Sequence, residues 1–212
     1  MRSNSSTLER AVRLLVTGFS AFPGVPDNPT ERLVGALADD DWRPAAAAQA
    51  QHLVLKTEYG AAAQALDAAL VAFDPDAVVS FGVHGGADSL RVECVARNRV
   101  SQARADNAGT IPAGAIDDGP PAMAGSFDAV RVCEAVRARG VPVRLSHDAG
   151  TYLCNFAYYR ALRWGAGRGR SVGFIHVPPL AVVGLPALRE ATEAAVAAAL
   201  EGHAAANARR SA

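Results

Sequence analysis

Residues 77–83 read AVVSFGV, a short apolar segment that is followed by His84 and a pair of glycines. The segment has the length of a strand, and its apolar residues do not alternate with polar ones. A strand that is apolar on both faces is typical of a parallel sheet with helices on each side. The segment therefore predicts an interior strand of an α/β fold.

Segments of the same kind recur along the chain and are separated by helical patterns. The other predicted strands are 12–17 (VRLLVT), 52–56 (HLVLK), 90–95, 141–145 and 171–177 (SVGFIHV). The predicted helices are one that begins at Thr30 and the segments 61–73, 127–139 and 185–203. Residues 101–125 are polar and rich in Gly and Pro, which indicates a long loop. Loops of this length are usually functional or mobile. Strands that alternate with helices predict an α/β domain with helices on both faces of the sheet.

Length and composition narrow the class of protein. The 212 residues suit one domain or a compact pair, and half of them are hydrophobic, which allows a sizeable core. We assign a single domain to residues 11–205 and expect residues 1–10 and 206–212 to be flexible ends. Lys plus Arg and Asp plus Glu are both 21, so no net charge favours nucleic acid. No apolar run reaches the length of a membrane helix, so we expect no membrane partner.

The cysteine pattern argues against metal and disulfide frameworks. The three cysteines, Cys94, Cys133 and Cys154, do not form a CxxC pair. An odd number of cysteines behind a polar N-terminus favours reduced thiols in the cytoplasm. We therefore expect a cytoplasmic protein with no metal and no organic cofactor.

In open α/β sheets the ligand site lies beyond the carboxyl ends of the strands. Three loops meet that description: the loop after Thr17, the loop around Gly85 and the turn into Cys154. His176 lies near the end of a predicted strand and can reach the same edge. These positions define the candidate site.

Cys154 lies in SHDAGTYLCN (146–155), where a polar loop turns into a helical pattern. A helix N-terminus stabilises a thiolate, and its backbone N–H groups can hold an oxyanion. A nucleophilic cysteine also needs a base and a group that orients the base. The alternative is that Cys154 is a small apolar filler, as most free cysteines are.

His176 and Glu93 are polar residues in apolar strands. His176 is either a catalytic base or a hydrogen-bonded core residue. Glu93, in LRVECV (90–95), either has a buried partner or faces outward from its strand. The strand patterns alone leave both alternatives open.

Four blocks in order resemble the pyroglutamyl peptidase I (pyrrolidone-carboxylate peptidase) family of cysteine exopeptidases. They are LLVTGFSAFPGVPDNPT (14–30), FGVHGGADSLRVECVARN (81–98), SHDAGTYLCN (146–155) and GFIHVPPL (173–180). The last two resemble the family's nucleophile block and the block of its catalytic histidine. The resemblance implies a single-domain, three-layer α/β/α sandwich with a mixed, mostly parallel sheet.

The resemblance also implies roles for single residues. Cys154 corresponds to the nucleophile, His176 to the acid and base, and Glu93 to the acid that orients the imidazole. Arg104, in SQARADNAG (101–109), corresponds to an arginine near the oxyanion. The implied activity is hydrolysis of the amide bond after an N-terminal pyroglutamyl residue, in a protein that forms dimers or tetramers.

The implied substrate pocket fits a small lactam. Phe19 and Phe22 correspond to two phenylalanines that hold the ring by apolar contact. Main-chain groups near Val83 and around Tyr152 and Leu153 would pair with the lactam N–H and C=O groups. Such a site rejects proline, which lacks the lactam carbonyl. The alternative for the phenylalanines is ordinary core packing.

Several residues depart from the family pattern. Pro23 replaces a glycine, Val83 replaces a glutamine and Ala87 replaces an arginine, while His84 has no counterpart. The stretch around Arg104 is one residue shorter than usual. These changes leave room for a cysteine amidohydrolase that acts on another small lactam or an N-acyl substrate, or for a non-catalytic ligand-binding relative.

Overall fold

The protein structure, a computed structural model, describes residues 12–101 and 103–210, and only the backbone of 203–210. The strands of this part are β1 (Val12–Phe19), β2 (Ala47–Leu55), β3 (Ala77–Val83), β4 (Leu90–Glu93), β5 (Val95–Arg97), β6 (Ala122–Ala124), β7 (Val143–Ser146) and β8 (Ser171–Val177). The helices are α1 (Pro29–Asp39), α2 (Tyr59–Phe73), α3 (Ala129–Arg137), α4 (Leu153–Gly165) and α5 (Leu185–Arg210).

The ends of the chain are described only in part. Residues 1–10, which we predicted to be flexible, lie outside the described residues, as do residues 211–212. Helix α5 continues to Arg210, beyond the boundary at 205 that the sequence suggested. The domain boundary of 11–205 stays a prediction.

Six strands form one sheet in the order β2-β1-β3-β8-β4-β7. Four of its five strand pairings are parallel, and the pairing of β4 with β8 is antiparallel. The sheet is therefore mixed and mostly parallel, which confirms the expected fold class.

Helices cover both faces of this sheet. Alternate residues of β8 point to opposite faces, so that Ile175 and Val177 belong to one apolar core and Val172 and Phe174 to the other. The first core also holds buried residues of α1, α3 and α5, and the second holds buried residues of α2 and α4. The three-layer arrangement explains why the strands are apolar without alternation, since both faces are buried.

The predicted strand 90–95 is divided at Cys94. The Cys94 N–H donates to Ser146 O at 2.7 Å, and the Cys94 carbonyl accepts from Gly125 N–H at 2.9 Å. The chain leaves the large sheet at this residue, and β5 pairs with β6 in a separate two-stranded sheet. Residues 101–125 are thus not without structure, since β6 lies within them. Among the described residues, no helix is long and apolar enough to cross a membrane.

Candidate active site

Cys154 is the second residue of α4. Helix α4 begins at Leu153, and the preceding Tyr152 is extended and provides no side-chain cap. The first N–H groups of a helix have no partner within the helix, and no described side chain caps them here. The first turn of α4 therefore offers a positive dipole end and free donors beside the Cys154 thiol.

Gly82 on β3 provides the space for the Cys154 sulfur. A Cβ atom at Gly82 would lie 2.7 Å from Cys154 Sγ and 2.7 Å from Cζ of Phe174. Both distances are shorter than van der Waals contact, so only a glycine allows the thiol to pack against β3 at this place. Gly82 thus belongs to the site, although the sequence analysis did not assign it a role.

His176 and Glu93 form a buried hydrogen-bonded pair. The His176 Nδ1 atom lies 2.8 Å from Glu93 Oε1. The side chains of His176 and Glu93 are 5% and 0% exposed. Glu93 lies opposite Phe174 in the antiparallel pairing of β4 with β8, on the same face as His176. Glu93 therefore has the buried partner that its apolar strand required.

The pKa of His176 is raised to about 9. Burial alone would lower this pKa. The interactions of the imidazole with Cys154 and with Glu93, through hydrogen bonding and charge, raise it by more than burial lowers it. The Cys154 side chain therefore acts directly on the pKa of the imidazole, and both side chains line the same cavity. This arrangement favours an imidazolium that stands between the thiol and the carboxylate.

Helix α4 also fixes the end of β4 that carries Glu93. The hydroxyl of Tyr158 donates to the Glu93 carbonyl at 2.9 Å, and both residues are buried. Helix α4 therefore carries the cysteine at its first turn and fixes the strand of Glu93 from its second turn. The two ends of the Cys154–His176–Glu93 row are set by one rigid element.

The row opens onto a cavity of about 380 Å³. Eight of the nine predicted site residues line it: Phe19, Phe22, Val83, Arg104, Tyr152, Leu153, Cys154 and His176. Glu93, the ninth, lies behind His176 and does not line the cavity. The structure thus brings all the predicted residues together at the carboxyl ends of β1, β3 and β8.

Aromatic rings and Arg104 form one wall of the cavity. The ring centroids of Phe22 and Tyr152 lie 6.3 Å apart. The Arg104 guanidinium carbon lies 4.8 Å from the Phe22 centroid and 5.3 Å from that of Tyr152. The Arg104 NH2 group also donates to Pro23 O at 2.5 Å. These contacts attach the segment of Arg104 to the loop after β1.

The loop after β1 is held in shape by Asn28. The Asn28 side chain caps α1 by accepting from Thr30 N–H at 3.0 Å, and it donates to Ser20 O at 3.0 Å. The Thr30 hydroxyl in turn accepts from Phe19 N–H at 3.0 Å. The positions of the pocket phenylalanines therefore depend on the start of α1.

The cavity also has lining residues that sequence reasoning missed. They are Val25, Asn28, Thr57, Gly85, Arg91, Ser146, Asp148, Ala149 and Gly150, together with His84, which had no assigned role. Arg91 could have been found, because in LRVE the residues two apart share a face, and Glu93 was already assigned to the site. Among the described residues, no group of three His, Cys, Asp or Glu side chains could hold a metal ion.

Comparisons with known proteins agree with this geometry. The family model described as pyroglutamyl peptidase matches residues 12–206. The pyrrolidone-carboxylate peptidase of Clavibacter michiganensis is 37% identical over 169 residues, which cover 78% of each chain. That of Pyrococcus furiosus is 33% identical over 171 residues, covering 79% of this chain and 81% of the relative.

A solved structure with a similar fold supports the same assignment. The pyrrolidone carboxyl peptidase from Thermococcus litoralis superposes with a TM-score of 0.83 at 29% identity, covering 90% of this chain and 94% of that one. The range matched by the family model, 12–206, contains every strand of the site. This chain belongs to the pyroglutamyl peptidase family.

Proposed function

We propose that this pyroglutamyl peptidase cleaves the amide bond after an N-terminal pyroglutamyl residue through a thioester on Cys154. The observation that carries the proposal is that Cys154 lines a small cavity together with His176, which is hydrogen-bonded to the buried Glu93. A nucleophile, a base and a group that orients the base are the three parts that such catalysis needs.

The reaction would proceed in two halves. His176 takes the proton of the Cys154 thiol, the sulfur attacks the scissile carbonyl, and the N–H groups of the first turn of α4 stabilise the oxyanion. His176, as the imidazolium, gives its proton to the leaving amine, and the C–N bond breaks. His176 then takes a proton from water, which attacks the thioester carbonyl. The C–S bond breaks, pyroglutamate is released, and His176 returns the proton to the Cys154 sulfur. Glu93 fixes the imidazole throughout.

The cavity wall supports recognition of a lactam ring. The rings of Phe19 and Phe22 offer apolar contact to the flat faces of the ring. The main chain near Val83, Tyr152 and Leu153 supplies the polar groups for the lactam N–H and C=O. In this proposal the two phenylalanines and the main-chain groups together recognise the pyroglutamyl ring of the substrate.

Arg104 keeps its proposed role as a cation near the oxyanion. Its contacts with Phe22 and Tyr152 place the guanidinium on the cavity wall. A role at the oxyanion requires that Arg104→Met lower kcat. A role limited to holding the ring wall requires that it raise KM instead.

Three further proposals concern the setting of the enzyme. We expect peptides with N-terminal pyroglutamate as substrates, a cytoplasmic location and a homo-oligomer of two or four chains. Because the positive and negative charges of the chain balance, we do not expect a nucleic acid as a partner.

The test is hydrolysis of a pyroglutamyl amide with a fluorogenic leaving group, in the presence of reductant. Wild-type protein and Cys154→Ala are compared, with a prolyl amide as the control substrate and Cys133→Ala as the matched control variant. We expect release by the wild type and by Cys133→Ala from the pyroglutamyl compound alone, and none by Cys154→Ala. Equal release by Cys154→Ala would remove Cys154 from the mechanism. Release only from other lactam or N-acyl amides would favour the alternative amidohydrolase.

A further inference from the structure

The strand order gives the cavity a direction. Phe19 comes from β1, Val83 from β3, His176 from β8 and Arg91 from β4, and these strands follow one another across the sheet. The leaving amine must meet His176, while the pyroglutamyl ring contacts the aromatic residues on the β1 side. The residue that follows pyroglutamate therefore extends toward β4, where Arg91 lines the cavity.

Arg91 lies directly beside the catalytic base. It is opposite His176 in the antiparallel pairing of β4 with β8, so the two side chains share a face. Side chains of such a pair begin about 5 Å apart. Arg91 is half-buried, and among the described side chains no carboxylate lies within ion-pair distance of it.

His84 holds the Arg91 side chain. The Arg91 NH1 group lies 2.8 Å from His84 Nε2, and the His84 ring packs edge-on at 5.9 Å from that of His176. Burial, followed by the charge of Arg91, lowers the pKa of His84, so its ring is neutral and accepts the hydrogen bond. A neutral partner positions the guanidinium but does not neutralise its charge, and the exposed Asp88 interacts with this charge without forming an ion pair.

The charges around the cavity favour an anion. Its described lining includes two arginines, Arg91 and Arg104, against one acidic residue, Asp148, while the His176 imidazole is paired with the buried Glu93. Asp148 is itself engaged, since its Oδ1 atom accepts from Gly150 N–H at 3.0 Å. A half-buried cation without an ion-pair partner is unfavourable, and an incoming carboxylate would provide one.

We propose that Arg91, positioned by His84, binds the free α-carboxylate of the residue after pyroglutamate, so that pyroglutamyl dipeptides are the favoured substrates. The carboxylate carbon of that residue lies about 2.5 Å from the leaving nitrogen. A guanidinium on the strand next to His176 is within reach of it, and the pairing is charge-assisted. This inference rests on the proposed function and names its substrate class.

The test compares pyroglutamyl-alanine with pyroglutamyl-alanine amide, which differ in one charge. We expect the wild type to favour the free acid roughly ten- to hundredfold in kcat/KM, the range for a hydrogen bond to a charged group. Arg91→Met should bring this ratio close to one through a higher KM for the acid, and Arg91→Lys should give an intermediate ratio. Arg144→Met is the matched control, because Arg144 is exposed, pairs with Arg91 in register and does not line the cavity.

The outcomes separate this inference from the proposed function. Hydrolysis of both compounds at equal rates by the wild type would overturn the inference and leave the peptidase activity intact. A wild-type preference that Arg91→Met retains, or that Arg144→Met loses equally, would remove Arg91 from carboxylate binding. Hydrolysis of neither compound would refute the proposed function, and the inference with it. The wild-type ratio needs no variant, so misfolding of Arg91→Met cannot conceal a failure.

Discussion

At the scale of single residues, the site depends on a glycine as much as on its reactive groups. Cys154 reaches His176 only because Gly82 has no side chain beneath the sulfur. His176 in turn is held by Glu93, whose carboxylate is buried with it. The arrangement of Cys154, His176 and Glu93 therefore requires a residue without a side chain at position 82.

We predict that Gly82→Ala lowers kcat/KM by about a hundredfold, because a displacement of the proposed nucleophile, Cys154, by about 1 Å would have that effect. The added methyl group would meet Cys154 Sγ and the Phe174 ring. The measurement is hydrolysis of the pyroglutamyl amide together with circular dichroism. Gly35→Ala is the control, since a Cβ there meets nothing within 4 Å. Equal activity of the two variants would contradict the prediction.

We also predict that the His176 imidazole titrates at about pH 9 instead of near 6.5. Because the folded-state pKa is raised, protonated His176 stabilises the folded protein. This contribution is complete below about pH 6.5 and is lost as the pH rises through about 9. The measurement is an NMR titration of the histidine ring signals. In Cys154→Ala the midpoint should fall, since the hydrogen bond with Cys154 is removed, and an unchanged midpoint would refute this cause.

At the scale of elements, the segment 101–125 is attached to the site by specific hydrogen bonds. The Asp106 carboxylate accepts from Tyr59 N–H at 2.7 Å, which caps α2 where Glu58 provides no side-chain cap. It also accepts from the N–H groups of Ala108 and Thr110 at 2.9 and 2.7 Å. One buried side chain thus fixes the segment and the start of a helix beside the cavity.

We predict that Asp106→Ala lowers the free energy of unfolding by about 2–3 kcal/mol, through a lost helix cap and buried donors left unpaired. Urea denaturation of the variant measures this change. Asp118→Ala is the control, because the Asp118 side chain is 99% exposed, and a change within about 0.5 kcal/mol is expected there. A loss for Asp106→Ala as small as that of the control would show that the segment is held by other contacts.

The sequence predicted most elements because their patterns are local. The strands 77–83 and 171–177 have the predicted bounds, since apolar runs between turn residues mark their own ends. The single strand expected over 90–95 was wrong, because its division at Cys94 depends on bonds to Ser146 and Gly125. A local sequence pattern cannot predict hydrogen bonds to residues that are so distant in the sequence.

At the scale of the whole molecule, one rigid sheet edge collects residues from distant segments. The prediction of a dimer or tetramer belongs to this scale and stays a prediction. Sedimentation velocity of the reduced protein measures it, and we expect a species of two or four times the chain mass. A single species of the chain mass across the micromolar range would contradict it.

The sequence by itself determined the α/β class and the family, and it predicted Cys154, His176 and Glu93 as site residues, because each of these rests on the pattern of a short stretch. Only the tertiary structure decided that Gly82 makes room for the thiol, that Asp106 caps α2 and that Arg91 lies beside His176. The physical reason is that strand order and register arise from the packing of remote segments, and these determine which side chains share a face and a cavity.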